Sequence, residues 1–176
     1  PDYALAWQQG NYVYVGTEDG LLTEKIPDLS YASAPDWSPD GTRIALSCRG
    51  GPAATEQDLW QSQEIAYVDV GSWALTRVTE SSFPDGSPAW SPDGSRIAFS
   101  RVVGDDPFPF VIGADGTGEQ QVPLPDTLDA FLYGGVNWSP DGSHLIFAAK
   151  LPSHDNPWQY ICVVAPDGSG FQILPG

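Results

Sequence analysis

Apolar residues along this chain come in short runs separated by clusters of Gly, Pro, Asp and Ser, and the runs read as β-strands. One pattern occurs three times. Asp36-Trp37-Ser38-Pro39-Asp40-Gly41-Thr42-Arg43-Ile44-Ala45-Leu46-Ser47 is followed by Ala89-Trp90-Ser91-Pro92-Asp93-Gly94-Ser95-Arg96-Ile97-Ala98-Phe99-Ser100. The third copy is Asn137-Trp138-Ser139-Pro140-Asp141-Gly142-Ser143-His144-Leu145-Ile146-Phe147-Ala148. The tryptophans lie 53 and then 48 positions apart, a period that suits a four-stranded propeller blade.

The chemistry of each copy predicts a hairpin. Pro presets φ at the second turn position, Asp suits the third, and Gly accepts the left-handed conformation that follows. Trp37, Trp90 and Trp138 stand just before the turn and are large enough to fill the wedge between neighbouring blades. Asp40, Asp93 and Asp141 read as turn acceptors, and with Gly41, Gly94 and Gly142 they complete a structural repeat.

A second hairpin follows each first one. Residues 65–71 lead to 75–78, 110–116 to 120–122, and 160–168 to 171–174, while 12–16 lead through Asp19-Gly20 to 22–26. With strands labelled A to D from the axis outward, blade one is partial over 1–27. Blade two covers 34–80, blade three 86–125 and blade four 134–175. Residues 3–8 align with strand B at 43–48, so blade one lacks its innermost strand. The expectation is an all-β chain with essentially no helix: a β-propeller, or a propeller sector of about four blades, in a single region spanning 1–176.

The Trp-Ser-Pro-Asp-Gly-x-Arg-Ile-Ala-Phe signature resembles the repeat of TolB-like β-propellers over nearly the whole chain. It also resembles the gating propeller of prolyl oligopeptidase-type peptidases and some sugar-lyase propellers. The TolB resemblance implies a non-catalytic binding or assembly module, a scaffold for protein–protein interaction. The alternative is the propeller portion of a larger hydrolase such as a peptidase gate, and a third reading is a glycan-binding propeller. TolB-type propellers commonly have six or more blades. Three outcomes are therefore open: a closed four-bladed ring, a sector completed by a second copy, or an excerpt of a longer chain. A sector exposes two broad apolar blade faces, which imply a protein partner or self-association.

Cys48 ends strand B of blade two, and Cys162 lies in strand C of blade four. A whole blade separates them, beyond the roughly 7 Å reach of a disulfide, so no intramolecular bridge is expected.

In this scheme the A–B and C–D connections are tight turns. The B–C connections (49–63, 101–109, 150–158) and D–A connections (27–34, 80–87, 125–135) emerge together on the other side, where binding residues are expected. The candidates there are Trp60, Asp105, Asp106, Phe108, Phe131, Tyr133, His154, Asp155 and Trp158, with Tyr31 and Phe83 in the same loops. Aromatic rings beside carboxylates can stack on sugars or anchor a protein. Asp105 and Asp106 are the pair a Ca²⁺ ion would use, but no segment has EF-hand spacing and no cofactor is required. No Gly-x-Ser-x-Gly elbow is present, and His144 and His154 fall on opposite sides of the blades. No catalytic residue and no zinc site are expected.

Composition narrows the partners. The net charge is -16, and 17 of the 23 acidic residues are Asp. Such a surface repels phosphate backbones and argues against nucleic acid. No apolar run approaches the roughly 20 residues that span a bilayer. The chain begins at Pro1 and contains no Met, which reads as a removed leader or as a piece of something longer. Acidity, the missing Met and the resemblance together predict an extracellular or periplasmic location.

Overall fold

The computed structural model describes residues 3–27, 29, 31–49, 63–125, 131–150 and 160–174. Every regular element among them is a strand, in four antiparallel sheets. Sheet one is β1 (Leu5–Gln9), β2 (Tyr12–Gly16) and β3 (Thr23–Lys25). Sheet two is β4 (Ser33–Trp37), β5 (Arg43–Cys48), β6 (Glu64–Asp69) and β7 (Leu75–Arg77). Sheet three is β8 (Asp85–Trp90), β9 (Arg96–Val103), β10 (Asp106–Gly113) and β11 (Gln120–Gln121). Sheet four is β12 (Phe131–Trp138), β13 (Leu145–Lys150), β14 (Tyr160–Val164) and β15 (Gln172–Ile173). Strand order follows the sequence within every sheet. The chain is all-β, built as a partial propeller.

The repeated turn closes by local hydrogen bonds. Ser38 Oγ donates to Asp40 Oδ1 at 2.7 Å, and the same carboxylate accepts from Thr42 N at 3.0 Å. Ser91–Asp93–Ser95 and Ser139–Asp141–Ser143 repeat these bonds. The donors favour the ionised carboxylate, the preceding Ser hydroxyl most of all, and hold Asp40 and Asp93 down at about 2. Asp141 is lowered in the same way. Gly41, Gly94 and Gly142 sit at φ between +69° and +70°, a conformation that disfavours any Cβ.

Three apolar cores join the sheets, each between consecutive neighbours. Val13, Val15 and Ile26 of the first blade pack on Ile44, Leu46 and Val68. Ala45, Ile65 and Val78 pack on Ile97, Phe99 and Phe110. Ala98, Val111 and Val122 pack on Leu145, Phe147 and Cys162. Each sheet thus has a rearward face, toward the preceding sheet, and a forward face. Among the described residues no core joins sheet four back to sheet one. Cys48 and Cys162 are buried thiols in two different cores, with no disulfide between them.

The pairing register corrects the alignment of the first blade. Leu5 pairs with Gly16 and Gln9 with Tyr12, as Ile44 pairs with Val68 and Cys48 with Glu64. Leu5 therefore stands in the place of Ile44, not of Ala45 as the match of 3–8 to 43–48 requires. Side chains alternate, so one step decides the face. Ala6 joins the core against sheet two, and Leu5 and Trp7 turn rearward.

The innermost strands carry a recurrent irregularity. Register shifts between Ser33 and Asp36, between Gly86 and Ala89, and between Tyr133 and Val136. Ala34 and Ser87 hold φ at +51° and +52° inside these bulges, a conformation costing of order 1–3 kcal/mol for a residue with a Cβ. The bulge at 134–135 absorbs two residues without ending the strand. For that reason Phe131 and Tyr133 belong to β12 rather than to a loop, and the strand starts ahead of the expected 134. Asp106 and Phe108 likewise leave the expected 101–109 loop for β10. Gly104, at φ +70°, and Asp105 close a two-residue hairpin between Val103 and Asp106.

Candidate functional site

On the side where B–C and D–A connections emerge, sheets one and two border a pocket of about 230 Å³. It is lined by Gln8, Asn11, Tyr31, Ala32, Ser33, Arg49 and Gln63. Pairing places each of them at or next to a strand end or in a connection, so the β1–β2 turn, the entry to β4, the exit of β5 and the entry to β6 converge. The amides are oriented by neighbours. Gln8 Nε2 donates to Gly10 O at 3.0 Å, and Gln63 Nε2 donates to Ser33 Oγ at 2.9 Å. Ser33 and Ser47 share a hydroxyl bond at 3.1 Å. Tyr31 holds φ at +54° at the rim. Among the described residues the lining has amides, hydroxyls and one guanidinium but no carboxylate, in a chain of net charge -16. It can hydrogen-bond a small polar or anionic group.

Sheet three carries a buried ion cluster on the same side. Arg101 is bidentate to Asp85, at 2.7 and 2.8 Å, and is also held by Glu119 at 2.5 and 2.9 Å. Its guanidinium lies over the rings of Phe99 and Phe110 at 5.3 and 4.8 Å. Asp85 first, and Glu119 after it, push the Arg101 pKa further up. The cluster is closed and fully partnered, which fits a structural brace.

The opposite, tight-turn side has a cleft of about 550 Å³ between sheets two and three, bordered by Arg43, Arg96 and Asp115. Its cations are engaged. Arg43 meets Asp69 at 3.2 Å and covers the Tyr67 ring at 4.7 Å, and Arg96 covers the Trp138 ring at 4.6 Å.

Two further surfaces are apolar. The rearward face of sheet one presents Leu5, Trp7, Tyr12 and Tyr14, with Trp7 stacked on Tyr14 at 5.9 Å. The forward face of sheet four presents Ile146, Ala148, Ile161, Val163 and, just past β15, Leu174. Leu5 is 49% exposed, whereas its counterparts Ile44, Ile97 and Leu145 are at 0%.

The sequence-predicted site residues are scattered by comparison. Asp105 forms the exposed tip of the β9–β10 hairpin, and Asp106 and Phe108 follow it in β10. Phe131 and Tyr133 lie in β12. Trp60, His154, Asp155 and Trp158 lie outside the described residues. Among the described residues no three His, Cys, Asp or Glu side chains converge as a metal site. Among the described residues, Tyr31 is the one loop aromatic from the sequence that borders the pocket. Its companions Gln8, Asn11, Ser33, Arg49 and Gln63 were not singled out. Isolated amides carry no spacing signal, and these come together only through the packing of sheet one on sheet two.

No family model matches the chain. It is 26% identical over 135 residues to dipeptidyl-peptidase 5 of Porphyromonas endodontalis, covering 76% of this chain and 19% of that protein. It is 29% identical over 116 residues to an uncharacterized peptidase, YuxL, of Bacillus subtilis, covering 50% of this chain and 18% of that protein. The chain thus spans about a fifth of the length of these curated relatives. The structure of TolB from Acinetobacter baumannii superposes with a TM-score of 0.71 at 18% identity, over 94% of this chain and 37% of that one. At that identity the likeness is one of architecture: the chain has the fold of a TolB-like β-propeller sector.

Proposed function

We propose that this chain is a non-catalytic binding and assembly module of the TolB-like kind. It works outside the cytoplasm and docks protein surfaces through its outward sheet faces. The observation that supports this is the pair of apolar faces at the ends of the sheet series, where side chains equivalent to fully buried ones stand half exposed. Contiguous apolar surface of this kind marks interaction sites on soluble proteins. The strongly acidic remainder keeps the module soluble and favours specific over general association.

The test is fluorescence of an apolar dye such as anilinonaphthalene sulfonate with dilute protein. Dye binding that falls when Leu5 and Ile161 are both replaced by Ser supports open faces. An absence of dye binding at every dilution sinks the reading. A second reading, the propeller portion of a larger hydrolase, is favoured by the two peptidase-named relatives. In that case the same faces pack on further blades of one polypeptide. Sequencing the gene beyond the codon for Gly176 separates the two, because a hydrolase domain there selects the second.

A further inference from the structure

The innermost strands of sheets two, three and four carry the same tryptophan, yet the hydrogen bonds that cross between them differ in kind. Between sheets three and four, Trp138 Nε1 donates to Ala89 O at 3.1 Å, a bond between two neutral groups. Between sheets two and three, the indole of Trp90 is only 6% exposed and its Nε1 finds no acceptor among the described residues. The crossing bond there is made by an acid instead: Trp90 N donates to Asp36 Oδ2 at 2.7 Å. β8 is an edge strand of its sheet, so this carboxylate occupies a backbone donor on an otherwise open edge. The equivalent positions hold Ala89 and Asn137, neither of which titrates.

Asp36 is half-buried, and no cation compensates it. Its strand packs on β1, β2, β5 and β8, whose ionisable side chains are Tyr12, Tyr14, Arg43, Cys48 and Asp85. Arg43 is drawn to Asp69 and the Tyr67 ring, and Asp85 is held by Arg101. Cys48 lies in the core between sheets one and two, and Tyr12 and Tyr14 stand on the rearward face of sheet one. The Trp90 N–H is thus the one donor that Asp36 has among the described residues. A carboxylate kept partly from water with one donor and no cation costs free energy when charged.

From this arrangement we propose that Asp36 is an acid-responsive latch between sheets two and three. Protonation leaves a carbonyl oxygen to accept the Trp90 N–H and removes the cost of a charge held at the junction, so the junction tightens as the surroundings acidify. Burial pushes the Asp36 carboxyl above its ordinary value and outweighs the lowering by the Trp90 N–H. A folded value above the unfolded one adds stability as pH falls through it, and the gain is complete below about pH 3.9. The latch lies inside the sheet series, so it is independent of what seats on the outer faces.

The experiment uses the isotope-labelled whole chain, dilute, and the variant Asp36→Asn, which keeps a carbonyl oxygen and cannot ionise. Nuclear magnetic resonance follows the backbone amide of Trp90 from pH 7 to about 3, bracketing the ordinary aspartate value. In the wild type that resonance is expected to titrate with a midpoint above about 3.9, and in Asp36→Asn the transition is expected to vanish. Thermal unfolding supplies the second readout. The wild-type midpoint relative to that of Asp36→Asn is expected to shift upward as pH falls from 7 toward about 4. A Trp90 amide that does not move, or that titrates at or below about 3.9, overturns the latch. A difference in melting midpoint that stays constant or shrinks with acid overturns it too. If the variant does not fold, the wild-type titration alone decides.

Discussion

Replacing Arg101 with Leu should destabilise the chain by about 3–5 kcal/mol, because it removes one partner of a buried charge pair. The structure says where that cost arises. Asp85 is the carboxylate at 0% side-chain exposure, and it accepts two guanidinium bonds at 2.7 and 2.8 Å. Glu119 is 34% exposed and can return to water, so its loss adds little. Leu itself suits the site, over the stacked rings of Phe99 and Phe110, and the penalty is therefore electrostatic rather than a cavity. Urea unfolding at pH 7 would read the change as a lower midpoint with unchanged slope. In thermal unfolding each kcal/mol lowers the midpoint by about 2–4 °C in a domain of this size. Adding Asp85→Leu to Arg101→Leu should recover most of the loss. A single variant costing under about 1 kcal/mol, or a double variant no better than the single, would refute the reasoning.

Phe99→Ala, in the core between sheets two and three, should cost about 3–5 kcal/mol, whereas Ile161→Ala on the open face should cost under about 1 kcal/mol in dilute protein. Urea midpoints compare the two directly. The turn carboxylates Asp40, Asp93 and Asp141 have folded pKa values below the unfolded one. Their contribution should be present above pH about 4 and lost as pH falls toward 2, and the triple Asn variant should flatten that part of the stability curve. Ala34→Gly and Ser87→Gly should leave stability unchanged or raised by up to about 1 kcal/mol, because Gly relieves the positive φ. A loss of more than about 1 kcal/mol in calorimetry would contradict strain at the bulges.

What could be read from the chain was what is local. Ser-Pro-Asp-Gly specifies its own turn through bonds spanning two to five residues, so the repeat and the four-sheet architecture were legible. The first sheet was legible only in part. Its B strand lacks the turn motif that fixes register in the others, and identity matching placed Leu5 one step from where pairing puts it. Phe131 and Tyr133 looked like loop residues because Gly134-Gly135 resembles a break, whereas a bulge carries β12 through it. The same held for Asp106 and Phe108, where one glycine shortened the connection to two residues. The pocket amides were illegible for a different reason. Gln8 and Gln63 are 55 positions apart, and only the packing of one sheet on the next makes them neighbours.

The separate cores between consecutive sheets also determine how the molecule comes apart. Among the described residues coupling passes from sheet to sheet and skips none, as in a one-dimensional array whose stability sums over nearest neighbours. Sheets two and three each hold two junctions, while sheets one and four hold one. Losing an end sheet breaks a single junction, and losing an inner one breaks two. The array therefore frays inward from both ends, and amide hydrogen exchange should be slowest in β5, β6, β9 and β10 and fastest in β1 and β15. In that sense the uncovered faces are also melting fronts: whatever seats on them stops the unzipping and binds the four sheets into one cooperative unit.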